Sequence, residues 1–228
     1  MMNKKPNQIA IDGTAASGKT TVGKIVAEKL GYTFFDTGIM YRVAAYGAAQ
    51  KLQDVSDEEK VSAVVEAMNI ELEDDRAAGV TNVLLDGKNI TDFLHLPEVD
   101  KIVSTVAAYP AVRSALTKQQ RNIGLRGKVV MVGRDIGTVV MPDAEMKIYL
   151  EASAETRAKR RHAENLSNHI ESNYEEVLAD VIKRDKADME RAVAPLRPAD
   201  DAVIIHTDDI TAAEVAEKIL GLMDPYVG

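Results

Sequence analysis

The chain has 228 residues, enough for one α/β core with an appended subdomain, and 46% apolar residues can fill such a core. There is no cysteine, which excludes disulfides, thiolate metal centres and thiol catalysis. The net charge of −8 is unevenly spread: residues 54–100 hold 13 Asp/Glu against 3 Lys/Arg, leaving the rest at +2, with no basic stripe of the kind that binds nucleic acid.

Residues 9–11, Ile-Ala-Ile, read as a short strand, and Val22, Ile25, Val26 and Leu30 recur at helical spacing up to Gly31. Between them lies G-T-A-A-S-G-K-T, in which Gly13, Gly18, Lys19 and Thr20 occupy the fixed positions of the G-x-x-x-x-G-K-[ST] phosphate loop. Glycines let the backbone curl so that several N–H groups converge on an anion at a helix N-terminus. Lys19 can then place a point charge on the β- and γ-phosphates, and the hydroxyl of Thr20 or Thr21 can serve magnesium, directly or through water. The motif names no acceptor.

Residues 32–36 read as a second strand, and Thr37-Gly38 leads into a helix toward Lys51. Ser56-Asp57-Glu58-Glu59 has the form of a capping box opening a helix to about Met68. The period then changes to strand-like pieces at 70–73, 80–85 and 88–90, the last two joined by Asp86-Gly87, a hairpin signal. This antiparallel meander coincides with the acidic block and is expected to lie outside the main sheet. Helices follow at 98–107 and from Pro110 to about Gly124, then an apolar, β-branched strand at 128–132 that empties into Gly133-Arg134-Asp135. Another strand at 146–150 precedes a helix capped by Ser153 and bearing Arg157, Lys159, Arg160 and Arg161. Ser172-Asn173-Tyr174-Glu175 opens a helix running past Asp188, and a last strand at 202–206 and helix at 211–220 close the chain. Strands alternating with helices predict a three-layer parallel α/β fold. No stretch of about 18 apolar residues occurs, so no membrane span is expected; no signal peptide is indicated, and a cytoplasmic location fits.

In open parallel sheets, ligands bind beyond the carboxyl ends of the strands. There the sequence places the phosphate loop, the stretch from Asp36 to Arg42, and Arg134-Asp135. Arg184, Asp188 and Arg191, at i, i+4 and i+7, fall within about 60° of one helical face. That face is either a solvated ion-pair ladder or an anion site, and spacing alone leaves both open. Arg157 and Arg161 share a face of the preceding helix, and two arginine-bearing helices could fold over a phosphate chain as a lid. The four histidines show no metal-ligand spacing, and no Asn-Lys-x-Asp guanine-reading element occurs.

Taken together, I-D-G-x-x-x-S-G-K, D-T-G-x-x-Y-R, V-A-x-Y-P-x-V-R, G-R-D-I-G-T-V-V-x-P-D-A and R-D-x-x-D-x-x-R-A-V-A-P-L, spanning residues 9–206, resemble the bacterial cytidylate kinases. The resemblance implies a P-loop kinase core (residues 1–36, 101–150 and 190–228), a nucleoside monophosphate-binding region (37–100, with the insert at about 69–96) and a helical lid (153–189). It implies that Gly13, Ser17, Gly18, Lys19, Thr20 and Thr21 hold ATP and Mg2+, with Arg157 and Arg161 in the lid. Thr37, Arg42, Arg134 and Arg191 would bind the acceptor, its phosphate gripped by the three arginines; Arg184 and Asp188 would lie near its phosphate and sugar, and Ser104, Arg113 and Asp135 would read cytosine. Lys19, Arg134, Arg184 and Arg191 would be catalytic. The implied reaction is ATP-dependent phosphorylation of CMP, and of dCMP, by a monomer without nucleic-acid or membrane partners. The alternatives are a P-loop kinase for another small acceptor, such as UMP or a sugar, and a nucleotide-binding switch.

Overall fold

The structure is a computed structural model that describes residues 5–75 and 80–223. The chain divides into two compact units, Met1–Asp36 with Arg121–Gly228, and Thr37–Gln120. In chain order the elements are β1 (Gln8–Gly13), α1 (Lys19–Leu30), β2 (Thr33–Asp36), α2 (Gly38–Lys51), α3 (Glu58–Glu66), β3 (Ile70–Asp75), β4 (Val80–Leu85), β5 (Lys88–Asn89), α4 (Pro97–Ala108), α5 (Pro110–Gly124), β6 (Val129–Gly133), β7 (Met146–Glu151), α6 (Ala154–Ser167), α7 (Tyr174–Glu190), β8 (Val203–His206) and α8 (Ala212–Gly221). A 3-10 turn, Thr91–Phe93, and a π-helical turn, Ile136–Val140, interrupt them.

The first unit is built on a five-stranded sheet in the order β2-β6-β1-β7-β8, with every pairing parallel. β1 is central, so both its faces must be apolar; Ile9, Ala10 and Ile11 are fully buried, and β6 reads Val-Val-Met-Val for the same reason. Val22, Val26 and Ala27 of α1 and Val215, Ala216 and Ile219 of α8 pack into one core with these strands. Register sets the functional edge: Asp12 stands opposite Gly133 on β6 and Tyr149 on β7. The ends of β1 and β6 are therefore neighbours although over a hundred residues separate them.

The second unit carries α2, α3, α4 and the antiparallel sheet β3-β4-β5. Asp86 and Gly87 turn between β4 and β5 with φ of 50° and 78°, the two left-handed residues that a type I′ hairpin requires. The antiparallel insert read from the acidic block is thus present. Helix starts differ from the sequence reading in two places. Asp57, not Ser56, caps α3 by accepting from Lys60 N, and Asn173 caps α7 by accepting from Glu176 N. In each case the second residue of the motif has the extended backbone a cap needs. Ser153 caps α6 as expected, and Thr211 with Glu214 forms a reciprocal capping box on α8 that the sequence reading passed over. Among the described residues no helix is long and apolar enough to cross a membrane.

Gly23 lies where α1 crosses the sheet: an added Cβ would stand 2.6 Å from Val132 Cγ1 and 2.8 Å from the Phe34 ring. Gly23→Ala should destabilise the fold by about 1–3 kcal/mol through overpacking, despite the better helix propensity of alanine. Urea unfolding of the two proteins checks it, and equal midpoints would show that α1 can lift without cost.

Candidate active site at the carboxyl edge of the sheet

The phosphate loop takes its shape from close backbone approach. Gly13 has φ 151°, and a Cβ there would lie 2.3 Å from the Leu150 carbonyl oxygen, so only glycine fits. Gly18 caps α1 at φ 93°, and Ser17 N donates to Thr14 O, closing the loop on itself. Lys19 folds back inside: Nζ donates to Thr14 O at 2.6 Å and approaches Ser17 Oγ at 3.4 Å. Only 8% of Lys19 is exposed. Burial pushes its ammonium down to about 7, with Arg134 adding to the fall while Asp36, Asp12 and Asp188 pull it back up. Thr20 Oγ1 donates to Asp36 Oδ2 at 2.8 Å, joining the start of α1 to the end of β2, and Thr21 is exposed beside it.

Beyond β6, Arg134 and Asp135 lead into the π-helical turn, whose first two amides are bound by Asp12: Ile136 N donates to Oδ1 and Gly137 N to Oδ2, both at 2.7 Å. Asp12 is 3% exposed. Burial pushes its carboxyl up to about 6, the two amides oppose that rise, and Asp135 adds to it. Arg134 Nε donates to Asp188 Oδ2 on α7. Arg191 approaches Asp188 and Asp135, each at 3.8 Å, and donates from Nε to Ala194 O at 2.6 Å. Arg134, Asp135, Asp188 and Arg191 therefore form one group of alternating charge, none of the four exposed. Mutual pairing holds the guanidiniums in place before any ligand arrives.

One detail of the sequence reading changes. α7 ends at Glu190, and Arg191 is its C-cap with extended backbone, ψ 141°. The Asp188–Arg191 proximity is thus a reach across the helix end, since Arg191 no longer follows the helical path. Arg184 sits on the exposed part of α7.

The arginines of α6 separate sharply. Arg157 is 3% exposed: Nε donates to Ala152 O at 3.0 Å, Nη1 to Ala15 O of the phosphate loop at 3.2 Å, and both Nη groups bind the Asp185 carboxylate of α7. Arg160 donates to the carbonyl and hydroxyl of Thr207, and Thr207 Oγ1 is 3.4 Å from Ser17 O. Arg161, one turn on from Arg157, is half-exposed and pairs with Glu164. In the second unit, Arg42 of α2 donates to Leu94 O at 2.9 Å and to Asp100 Oδ1 at 2.6 Å. Arg113 is buried, donates to Ala107 O and stands 5.3 Å over the Tyr41 ring. Thr37 is the buried N-cap of α2, and Ser104 is exposed on α4.

Asp12, Asp185 and Thr207 were missed as members of this constellation, and Asp36 was singled out only as the start of a strand-end stretch. Asp12 lies near the carboxyl end of β1, so the rule that selected Arg134 could have found it. Asp185 and Thr207 carried no comparable signal.

A parallel sheet of this order with a glycine-shaped, lysine-bearing loop after its central strand defines a P-loop phosphotransferase fold. A gluconokinase from Sinorhizobium meliloti 1021 has a similar fold, at TM-score 0.52 and 15% identity over 98% of this chain and 95% of its own. Residues 9–224 match the family described as cytidylate kinase. Cytidylate kinases of Bacillus thuringiensis (strain Al Hakam) and Bacillus cereus (strain AH187) are each 44% identical over 215 residues, covering 94% of this chain and 95% of theirs. The chain belongs to the cytidylate kinase family and is a nucleoside monophosphate kinase.

The depressed Lys19 value makes a stability prediction with a definite sign. An unfolded lysine keeps its proton up to about 10.5, whereas the folded one loses it near 7, so unfolding takes up a proton between those limits and stability rises with pH across that window. Relative to Lys19→Met, the parent chain should gain at most about 1.4 kcal/mol per pH unit as pH rises from 7 toward 10. Urea unfolding of both proteins at pH 7 and pH 9 checks this, and a pH-independent difference would mean that Lys19 stays charged on folding.

Proposed function

We propose that the protein transfers the γ-phosphoryl group of ATP to CMP, and to dCMP, giving the nucleoside diphosphate. The observation that carries this reading is the convergence within one unit of buried Lys19, on a phosphate-shaped loop, with the paired group Arg134, Asp135, Asp188 and Arg191. Cations collected at the strand ends suit a reaction whose transition state spreads negative charge over the moving group and both flanking oxygens. An oxygen of the acceptor's phosphate attacks the γ-phosphorus in line, and no covalent enzyme intermediate is required. Lys19 leaves the Thr14 carbonyl for the donor phosphates, while Arg134 and Arg191, already oriented by carboxylates, turn toward the acceptor's phosphate. Arg184 assists from the exposed part of α7, and Asp188 stands near the acceptor's sugar. Arg42, Ser104, Arg113 and Thr37 keep the acceptor-binding roles that the family resemblance implies, and of the α6 arginines Arg157 and Arg161 the second is the more open to ATP.

Magnesium fits the residues present. Among the described residues no cluster of three or more His, Asp or Glu could cage a metal. Mg2+ needs none when it rides on phosphates and keeps most of its waters, using one or two protein oxygens. Thr20 Oγ1 and Asp36 Oδ2, hydrogen-bonded beside the loop, would supply those oxygens, which favours Thr20 over Thr21. When bound, the ion would neutralise charge on the β- and γ-phosphates.

A coupled assay of ADP release across CMP, dCMP, UMP, AMP and GMP tests the reading directly; turnover of only UMP, or of none, would overturn it. Lys19→Ala should fold and lose nearly all turnover. Cytosine presents an amino donor where uracil presents a carbonyl, so a buried acceptor such as Asp135 discriminates between them. Asp135→Ala should lose about 10²-fold or more in kcat/KM for CMP and much less for UMP, narrowing the ratio between them. An unchanged ratio would show that Asp135 holds neighbouring arginines in place and does not read the base.

A further inference from the structure

We propose that Asp12 is a positioning residue that aims Arg134 and Asp135 at the acceptor by capping the turn that follows them. This rests on the acceptor-binding reading given above. A helical turn begins with unsatisfied amides, and the residue before it usually provides the oxygen that accepts from them. Asp135 occupies that place but makes no side-chain cap bond to its own turn. The capping oxygens come instead from Asp12, at the end of the adjacent strand, one oxygen for Ile136 N and the other for Gly137 N. The carboxylate of Asp135 is thereby spared for its approach to Arg191, 3.8 Å away.

Three further features tie Asp12 to this task. It is buried, so its two bonds are not exchanged for water. Its Cα pairs with Gly133, so the segment it holds by its side chain starts at Ile136, with only two residues between it and the segment held by its backbone. Residues 134 and 135 are pinned on both sides, and the directions of their side chains follow. Finally, Gly137 is shaped for the contact: a Cβ there would lie 3.3 Å from Asp12 Oδ2 and 3.2 Å from Lys147 Cδ, tighter than ordinary contact. The aspartate and the glycine form one device, contributed from two distant places in the sequence.

Two substitutions act on that device from opposite sides. Asp12→Asn keeps the shape but turns one acceptor into a donor facing an N–H, and Gly137→Ala pushes the carboxylate away while leaving it charged. Steady-state kinetics with ATP and CMP varied separately should show a selective loss toward the acceptor. The expectation for Asp12→Asn is a fall of about 10²-fold in kcat/KM for CMP with KM for ATP moved less than about threefold, and for Gly137→Ala a fall of about tenfold of the same kind. Because both break one contact, the double variant should lose less than the product of the single losses. Lowered melting temperature with unchanged kinetics toward CMP, equal losses toward ATP and CMP, or strictly multiplicative losses would each overturn the positioning role. If Asp12→Asn does not fold, Gly137→Ala decides by the same selectivity. A parent protein inactive on CMP would instead count against the proposed reaction, so the two failures are distinguishable.

Discussion

Lys19 is a cation placed where its charge is costly, and the rest of the carboxyl edge is arranged around that cost. Its ammonium is satisfied by a backbone carbonyl of its own loop, while the carboxylates that raise its proton affinity, Asp36, Asp12 and Asp188, come from β2, β1 and α7. None of them forms a direct ion pair with it. A close carboxylate would neutralise Lys19 so well that a phosphate would have to compete for it. Carboxylates held at a distance, each engaged with another donor, tune the lysine without occupying it. Asp12 is committed to two amides, Asp36 to Thr20 and Asp188 to Arg134.

The same economy depends on strand order. With β1 between β6 and β7, the loop after β1 and the turn after β6 emerge side by side, so one buried aspartate reaches both. A sheet wound in sequence order would have placed β2 there, and Asp12 would have had no turn to cap. The parallel topology thus does more than bury Ile9 and Ile11: it brings Arg134 and Asp135 against the phosphate loop with their backbone already fixed. Preorganised charge of this kind stabilises a transition state without reorganisation at the moment of transfer.

Most of the fold was legible because its signals are local. The β-branched run before Gly133, the loop glycines, the Asp86-Gly87 turn and the change of period near Ile70 each fix an element within a few residues. The helix caps were read one residue early in two helices, since Ser-Asp and Ser-Asn pairs offer two capping side chains and only backbone conformation chooses between them. The site was legible where a motif carried it, as at Lys19, and where charge followed a buried strand, as at Arg134. Asp185 was not, because its partner Arg157 lies 28 residues away on another helix and nothing in either sequence neighbourhood announces the pairing. The π-helical turn was equally silent, since its first amide is satisfied by a residue 124 positions earlier.

That unannounced pair changes how the arginines of α6 should be weighed. Arg157 and Arg161 are one turn apart and read alike in sequence, yet the first is buried in a bidentate bond to Asp185 that also reaches the Ala15 carbonyl, and the second is half in solvent. Removing one partner of a buried ion pair costs about 3–5 kcal/mol, whereas an exposed pair such as Arg161–Glu164 is worth about 0.2–1 kcal/mol. A phosphate that recruited Arg157 would have to leave Asp185 uncompensated in the interior, while one that recruited Arg161 would merely replace a weak surface contact. Drawing Arg161 away from its partner therefore costs less than drawing away Arg157. Arg157 instead binds α7, which bears Arg184 and Asp188, to the phosphate loop, so that loop and helix keep a common frame.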